Sequence, residues 1–227
     1  MAFNAKNIII GAAPLNITTL DSTDSEYAVL DPTGLSSFAT GSNGSAVDGN
    51  GDLRSAVVGS TVANGYTNVG FTNNGLQITY NPTYGSVTVD QLLDTAKLFK
   101  ESMEVMLATE LSEGTLFNVM TVFGQKSSSR SGTLSATGNE TLNIAGGALL
   151  EAPTERQLIA VGPAPTATSP NTERVYYGRR VLSVQQSQFS LARNTPTSFP
   201  VTFRLLPDAT YSGSEYGKIV DRFRASA

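Results

Sequence analysis

Between Asn68 and Gly124 the apolar residues change period once, from alternate positions to helical spacing. That switch constrains the fold more than any other feature of the chain. The stretch contains an Asn73-Asn74-Gly75 turn, made of residues that take positive φ with little strain. Leu76, Ile78 and Tyr80 then share one side and Gln77, Thr79 and Asn81 the other, the pattern of a half-buried strand that Pro82 is expected to stop. Ser86 to Val89 reads as a second short strand. From about Phe99 to Glu110 the alternation returns, with Met103, Val105, Leu107 and Thr109 opposing Ser102, Glu104, Ala108 and Glu110. Leu116, Val119, Met120 and Phe123 are then spaced for one face of a helix that packs on the sheet. Ser112 is its expected N-cap, Glu113 sits near its positive end, and Gly124 is its C-terminal stop. Strands feeding one capped amphipathic helix make a packing unit, not a catalytic one.

Composition narrows the chemistry. The 227 residues contain no Cys, no His and no Trp. Without Cys there is no disulfide framework, thiolate nucleophile or zinc-thiolate site. Without His the usual general base and transition-metal ligand are missing. Charged residues make up only 15 % of the chain, so its surface can bury large areas against other copies at modest desolvation cost. The formal net charge is −4 with no basic patch, which argues against tight binding to a phosphate backbone. Ile8 to Leu15 is interrupted by Gly11 and Pro14 and lacks a signal-peptide layout, and no run approaches a transmembrane span. The expectation is a soluble cytoplasmic product with no enzyme activity, cofactor or metal.

Along the rest of the chain, Ala5 to Gly11 reads as a buried strand through Ile8, Ile9 and Ile10, and Tyr27 to Leu30 as a second, closed by Asp31-Pro32. Gly34 to Gly65 is rich in Gly, Ser, Asn, Thr and Ala, and only Leu53 to Val58 could hold a strand. A connection this long without structure is uncommon in a compact domain, so it is a solvent loop or is ordered by a partner. Asp48-Gly49-Asn50-Gly51-Asp52 invites a calcium reading. An EF-hand loop needs Gly at its sixth position and Glu at its twelfth, where Leu53 and Gly59 stand, so calcium is rejected.

Further on, Thr133 to Ala136 and Thr141 to Ala145 read as strands joined through Gly138-Asn139. Arg156 to Val161, Arg174 to Gln186 (with a bulge at Gly178) and Phe199 to Leu206 follow. The sum is a mainly β fold: a β-sandwich or barrel of two packed antiparallel sheets with one flanking helix and a long loop, in one domain over 1–227.

Two constellations bear on chemistry. Glu101 and Glu104 are three apart in a strand and so face opposite sides. Glu104 and Glu110 share a face about 20 Å apart, too far to flank one bond. Tyr176-Tyr177 beside Arg179-Arg180 could stack on single-stranded nucleic acid, but core or subunit-contact positions are the commoner use of such residues.

Val69-Gly70-Phe71-Thr72-Asn73-Asn74-Gly75-Leu76-Gln77-Ile78-Thr79-Tyr80 resembles a segment of the major tail tube proteins of long-tailed, siphovirus-like bacteriophages. The Asp90-Gln91 pair and the acidic strand feeding a Leu-Ser-Glu-Gly-Thr-Leu helix start are similar to that family too. The order and spacing of the set carry the match, over most of the chain and more weakly at both ends. The resemblance implies a structural virion protein of the tail, assembled in the host bacterial cytoplasm. Its hexameric rings would stack into a tube that conducts DNA during ejection, with a tape-measure protein and tail-tip and terminator proteins as partners and no membrane. It also implies an inter-ring loop at about 34–65, including Ser42, Asn43, Gly44, Asp48, Asn50 and Asp52. A conduit should not grip phosphate, which makes Glu104 and Glu110 candidates for an acidic lumen wall, the opposite exposed face being the alternative. Two other readings stay open: a bacterial secretion-system-type tube subunit, and a β-sandwich carbohydrate-binding module, which the missing Trp disfavours.

Overall fold

The computed structural model describes residues 6, 8–9, 11–30, 32, 44–91, 94–134, 138–165, 171–194 and 196–223. The fold is mainly β, with 42 % of residues in strands, and a large antiparallel sheet packs against a small one. The large sheet contains β1 (Leu15–Thr18), β2 (Tyr66–Asn68), β3 (Thr72–Val87), β4 (Lys97–Leu111), β7 (Arg156–Pro163), β8 (Thr172–Ser183), β9 (Phe199–Leu205) and β10 (Gly217–Phe223). Its order is β2-β1-β7-β8-β9-β4-β3, with β10 pairing on β8. The small sheet joins β5 (Arg130–Gly132) to β6 (Glu140–Leu142). Three helices are described: α1 (Ser55–Val58), α2 (Ser60–Gly65) and α3 (Leu116–Val122).

The centre of the large sheet is buried on both faces. Along β7 every residue from Arg156 to Gly162 is buried. Leu158 and Ala160 point into one core with Leu15, Ile17, Leu107, Leu111, Val181 and Phe203, roofed by Phe117 and Met120 of α3. Ile159 and Val161 point the other way, into a second core with Val175, Tyr177, Val57, Val58 and Val62. A strand covered on both sides reads as an apolar run, and β7's Leu-Ile-Ala-Val is such a run. The expected bulge in β8 is present: the register slips between Leu158↔Gly178 and Arg156↔Val181.

Several expected elements differ. Among the described part of Ala5 to Gly11 there is no strand, and Ile8 and Ile9 are exposed. The first strand is Leu15–Thr18, which antiparallel pairing with both β2 and β7 holds in place. Tyr27–Leu30 is a 3-10 turn rather than a strand. Pro82 does not stop β3, because β3 is an edge strand of 16 residues with β4 as its single partner among the described residues. A proline there can turn its missing donor outward. Asn74 and Gly75 do take positive φ, 61° and 65°, but as a bulge inside β3 rather than as a turn between strands.

The helix after β4 exists, and Gly124 ends it at φ 62°. Its cap and phase are shifted. Thr115, not Ser112, is the N-cap, accepting a hydrogen bond from Asn118 N. The buried side is Phe117, Asn118, Met120, Thr121 and Val122, while Leu116, Val119 and Phe123 are half-buried. The Asn118 amide explains the rotation: it donates to the Val69 and Glu113 carbonyls, both at 2.8 Å, and so turns a polar residue inward. Val119 and Phe123 still touch the core from its margin, Phe123 stacking on Phe189 at 6.2 Å between ring centroids.

Two turns are tied together by a buried carboxylate. Asp21 accepts from Thr23 N at 2.9 Å, Thr23 Oγ1 at 2.6 Å and Ser127 N at 2.5 Å. Burial alone would raise its pKa, but these hydrogen bonds and the nearby Arg156 outweigh that and hold it below the ordinary 3.8.

Two outcomes are expected in solution. In urea melts Met120→Ala should cost about 2–5 kcal/mol as a lost core side chain, Thr115→Ala about 1 kcal/mol as a lost cap, and Ser112→Ala less than either. Asp21 has a depressed folded pKa, so its contribution is complete above the unfolded value near 3.9 and is lost as pH falls through the folded one. The stability gap between wild type and Asp21→Asn should therefore be widest near neutral pH and close in acid, as read by melts across pH.

Candidate self-association surface

The half of the β3–β4 hairpin farthest from α3 leaves the body of the protein. Among the described residues Lys97 to Glu104 has β3 as its only strand partner, because β9 pairs with β4 only from Val105 onward. Nearly every residue of this half is exposed, on both faces. The face that continues from the core is apolar: Tyr80 is 59 %, Tyr84 57 % and Leu98 63 % exposed. Lys100 crosses this face, donating to Tyr80 Oη at 3.1 Å and sitting 5.4 Å from the centre of its ring. Between the hairpin and β10 the same face opens into an apolar groove of about 210 Å³, lined by Ile78, Tyr80, Val105, Tyr176, Leu205 and Ile219. The chain exposes 13480 Å², against roughly 10,000 Å² for a compact monomer of this mass.

The strand edges are open as well. Among the described residues β3 pairs only with β4, and β10 only with β8. Each leaves one side of unpaired backbone groups, the usual template for pairing with another chain.

The residues singled out in the sequence fall into separate places. Ser42 and Asn43 lie outside the described residues. Gly34 to Gly65 is expected to be a solvent loop or to be ordered by a partner, but its described part, 44–65, closes the second core through Ala46, Leu53, Val57, Val58 and Val62. Asp48 Oδ1 accepts from Asn50 N at 2.8 Å and Asp52 N at 3.0 Å, so the Asp48–Asp52 stretch is a self-contained turn. Gly51 O accepts from Asn16 of β1 at 3.0 Å, and Asn50 O from Asn68 of β2 at 2.8 Å, which pins the turn to the sheet.

Glu104 and Glu110 do share the outer face of β4, but neither is a free acid. Glu104 pairs with Arg204 at 3.5 Å, and Glu110 accepts from Asn74 at 2.9 Å and from Ser198 Oγ. Glu101 is not opposite Glu104 in the simple sense expected, because the register slips between Thr83 and Tyr84 and sets its carboxylate beside Gly85. Tyr177 is buried, Arg179 stacks on Tyr211, 3.5 Å from its ring centre, and Arg180 pairs with Glu155 at 2.6 Å, whereas Tyr176 is half-buried and lines the groove, so the four residues form no joint stacking platform. Among the described residues no group of three or more acids, Cys or His is placed to hold a metal ion, and no helix is long and apolar enough to cross a membrane.

One buried ion pair was invisible in the sequence. Glu173 of β8 accepts from Arg222 Nη1 of β10 at 2.6 Å, from Ser45 Oγ at 2.6 Å and from Ala46 N at 2.8 Å. Both side chains are buried, and Arg222 Nε and Nη2 have no partner among the described residues. Glu173 thus fixes β10, one wall of the groove, to the 44–65 layer. Removing one member of a buried pair leaves an uncompensated charge, so Glu173→Ala should cost about 3–5 kcal/mol in denaturant melts. Comparison with known proteins adds no family: no protein-family model matches the chain, and no curated protein matches it.

Proposed function

We propose that this chain is a non-catalytic structural subunit, the major tail tube protein of a long-tailed bacteriophage. Its hexameric rings stack into a conduit for DNA, built in the host cytoplasm around a tape-measure protein. The observation that carries the reading is the β3–β4 hairpin, which extends past its sheet with an apolar face and open backbone edges. A two-stranded ribbon is marginal in water by itself and gains stability from a third strand. A neighbouring copy can supply it. Two different edges, β3 and β10, make such a contact heterologous, and a heterologous contact closes into a ring when the rotation allows. Closure removes the edges, which would otherwise invite uncontrolled pairing. The wall of such a conduit would not hold DNA, since Glu104 is offset by Arg204, Glu110 is hydrogen-bonded, and the chain's net charge is −4.

Concentrated protein is expected to form rings or tubes in negative-stain images, with slowed hydrogen exchange at the backbone amides of Thr79 to Val87. Tyr84→Asp combined with Leu98→Asp should yield a folded monomer of unchanged Tm that forms neither. Wild-type protein that stays monomeric when concentrated would overturn the reading, as would normal assembly by the double variant.

A further inference from the structure

Antiparallel pairings lead from β4 to β9, from β9 to β8 and from β8 to β10, so β10 runs antiparallel to β4. β7 fills one side of β8, and β9 and β10 share the other, β9 opposite Val181 to Ser183 and β10 opposite Thr172 to Gly178. β10 therefore continues the lane that β9 begins. Across that lane lies the half of β4 that β9 leaves unpaired, Lys97 to Glu104.

Two open strand edges of one chain thus face each other. Arg179 N donates to Tyr216 O at 3.2 Å, so this carbonyl is turned to β8, and alternation along the strand turns the backbone groups of Ile219 and Asp221 away from it. On the β4 side, Met103 O accepts from Tyr216 Oη at 3.4 Å. The strands touch there and part beyond it. Ser102 pairs with Thr83 but Lys100 with Tyr84, which makes Glu101 an extra residue of β4. Such a bulge interrupts the ladder and increases local twist, carrying the projecting half of the hairpin off β10. The apolar groove is the gap that results, with Tyr80 and Met103 on one wall and Ile219, 64 % exposed, on the other.

We propose that in the free subunit the projecting half of the hairpin closes across this gap, pairing Lys97 to Met103 with β10 of the same chain. Closure withholds the β10 edge from other copies. Each strand brings unpaired backbone groups and apolar side chains that the other covers. Being tethered, β4 meets β10 at an effective concentration that no separate copy matches in dilute solution. With the tube reading as its basis, closure supplies a regulation: a neighbour's β3 and the chain's own β4 compete for one edge. Rings then begin where the hairpin is held open.

The chain has no cysteine, so an introduced pair reports cleanly. Counted from Tyr216 opposite Met103, an antiparallel register sets Ile219 opposite Lys100. Dilute protein carrying Lys100→Cys with Ile219→Cys is expected to form an intramolecular disulfide under mild oxidation while sedimenting as a monomer. Lys100→Cys with Phe223→Cys, farther along β10 and out of register, should bridge about tenfold more slowly. The oxidised 100–219 monomer should form rings or tubes about tenfold more slowly than the same protein after reduction. Absence of the intramolecular bridge, equal rates for the two pairs, or oxidised protein that assembles as fast as reduced would each overturn the proposal. Normal assembly without any bridge would refute closure and leave the tube reading intact. A bridge in register, in a protein that stays monomeric when concentrated even after reduction, would refute the tube reading and leave closure standing.

Discussion

Two-sided burial of β7 is the constraint on which the rest of the structure depends. A strand covered on one face can be finished by a single helix, but β7 needs a layer on each side. One layer is α3 with the small β5–β6 sheet, and the other is the 3-10 turn at Tyr27–Leu30 with α1, α2 and the segment before them. The polar residues on the central strands serve as ties between layers. Arg156 Nη1 donates to the Thr18 and Thr19 carbonyls at 2.8 and 3.0 Å, and its Nη2 to the Gln125 carbonyl at 3.1 Å. Gln157 accepts from the hydroxyls of Tyr66 and Tyr177 at 2.8 and 3.2 Å and donates to the Tyr27 carbonyl at 3.1 Å. Buried groups of this kind are tolerated because they are satisfied, and their partners fix how the layers sit.

The β3–β4 end obeys the opposite condition. It belongs to the same sheet, yet among the described residues no layer covers its apolar face beyond Val105 and its outer edge has no partner. The protein is thus a well-covered body joined to an uncovered arm. The arm's strands are continuous with buried ones, so it is held straight by the body while offering its own surface outward. Pro82 on the edge and the bulge at Asn74-Gly75 limit how another strand can align with β3, as expected of an edge that must pair specifically rather than at random.

Much of this was legible in the chain. The parity of β4 and β9, with Val105, Leu107 and Thr109 and then Phe199, Val201, Phe203 and Leu205 turned inward, follows from period-two alternation and is what the structure contains. The mainly β class, the positive-φ residues at Asn74 and Gly75, the bulge near Gly178 and the stop at Gly124 were equally readable, since each depends on a residue's own backbone preferences or on its near neighbours. Tertiary structure alone decided the rest. α1 and α2 have four and six residues, too few to show a helical period, and Val57, Val58 and Val62 count as core only because β7 and β8 lie across from them. The phase of α3 turned on Asn118 finding the Val69 carbonyl, 49 residues away in sequence. Glu173 and Arg222, likewise 49 apart, meet only because β10 folds back on β8. Local preference sets which residues can share a face, but which face is covered, and by what, depends on partners that only the folded chain brings together.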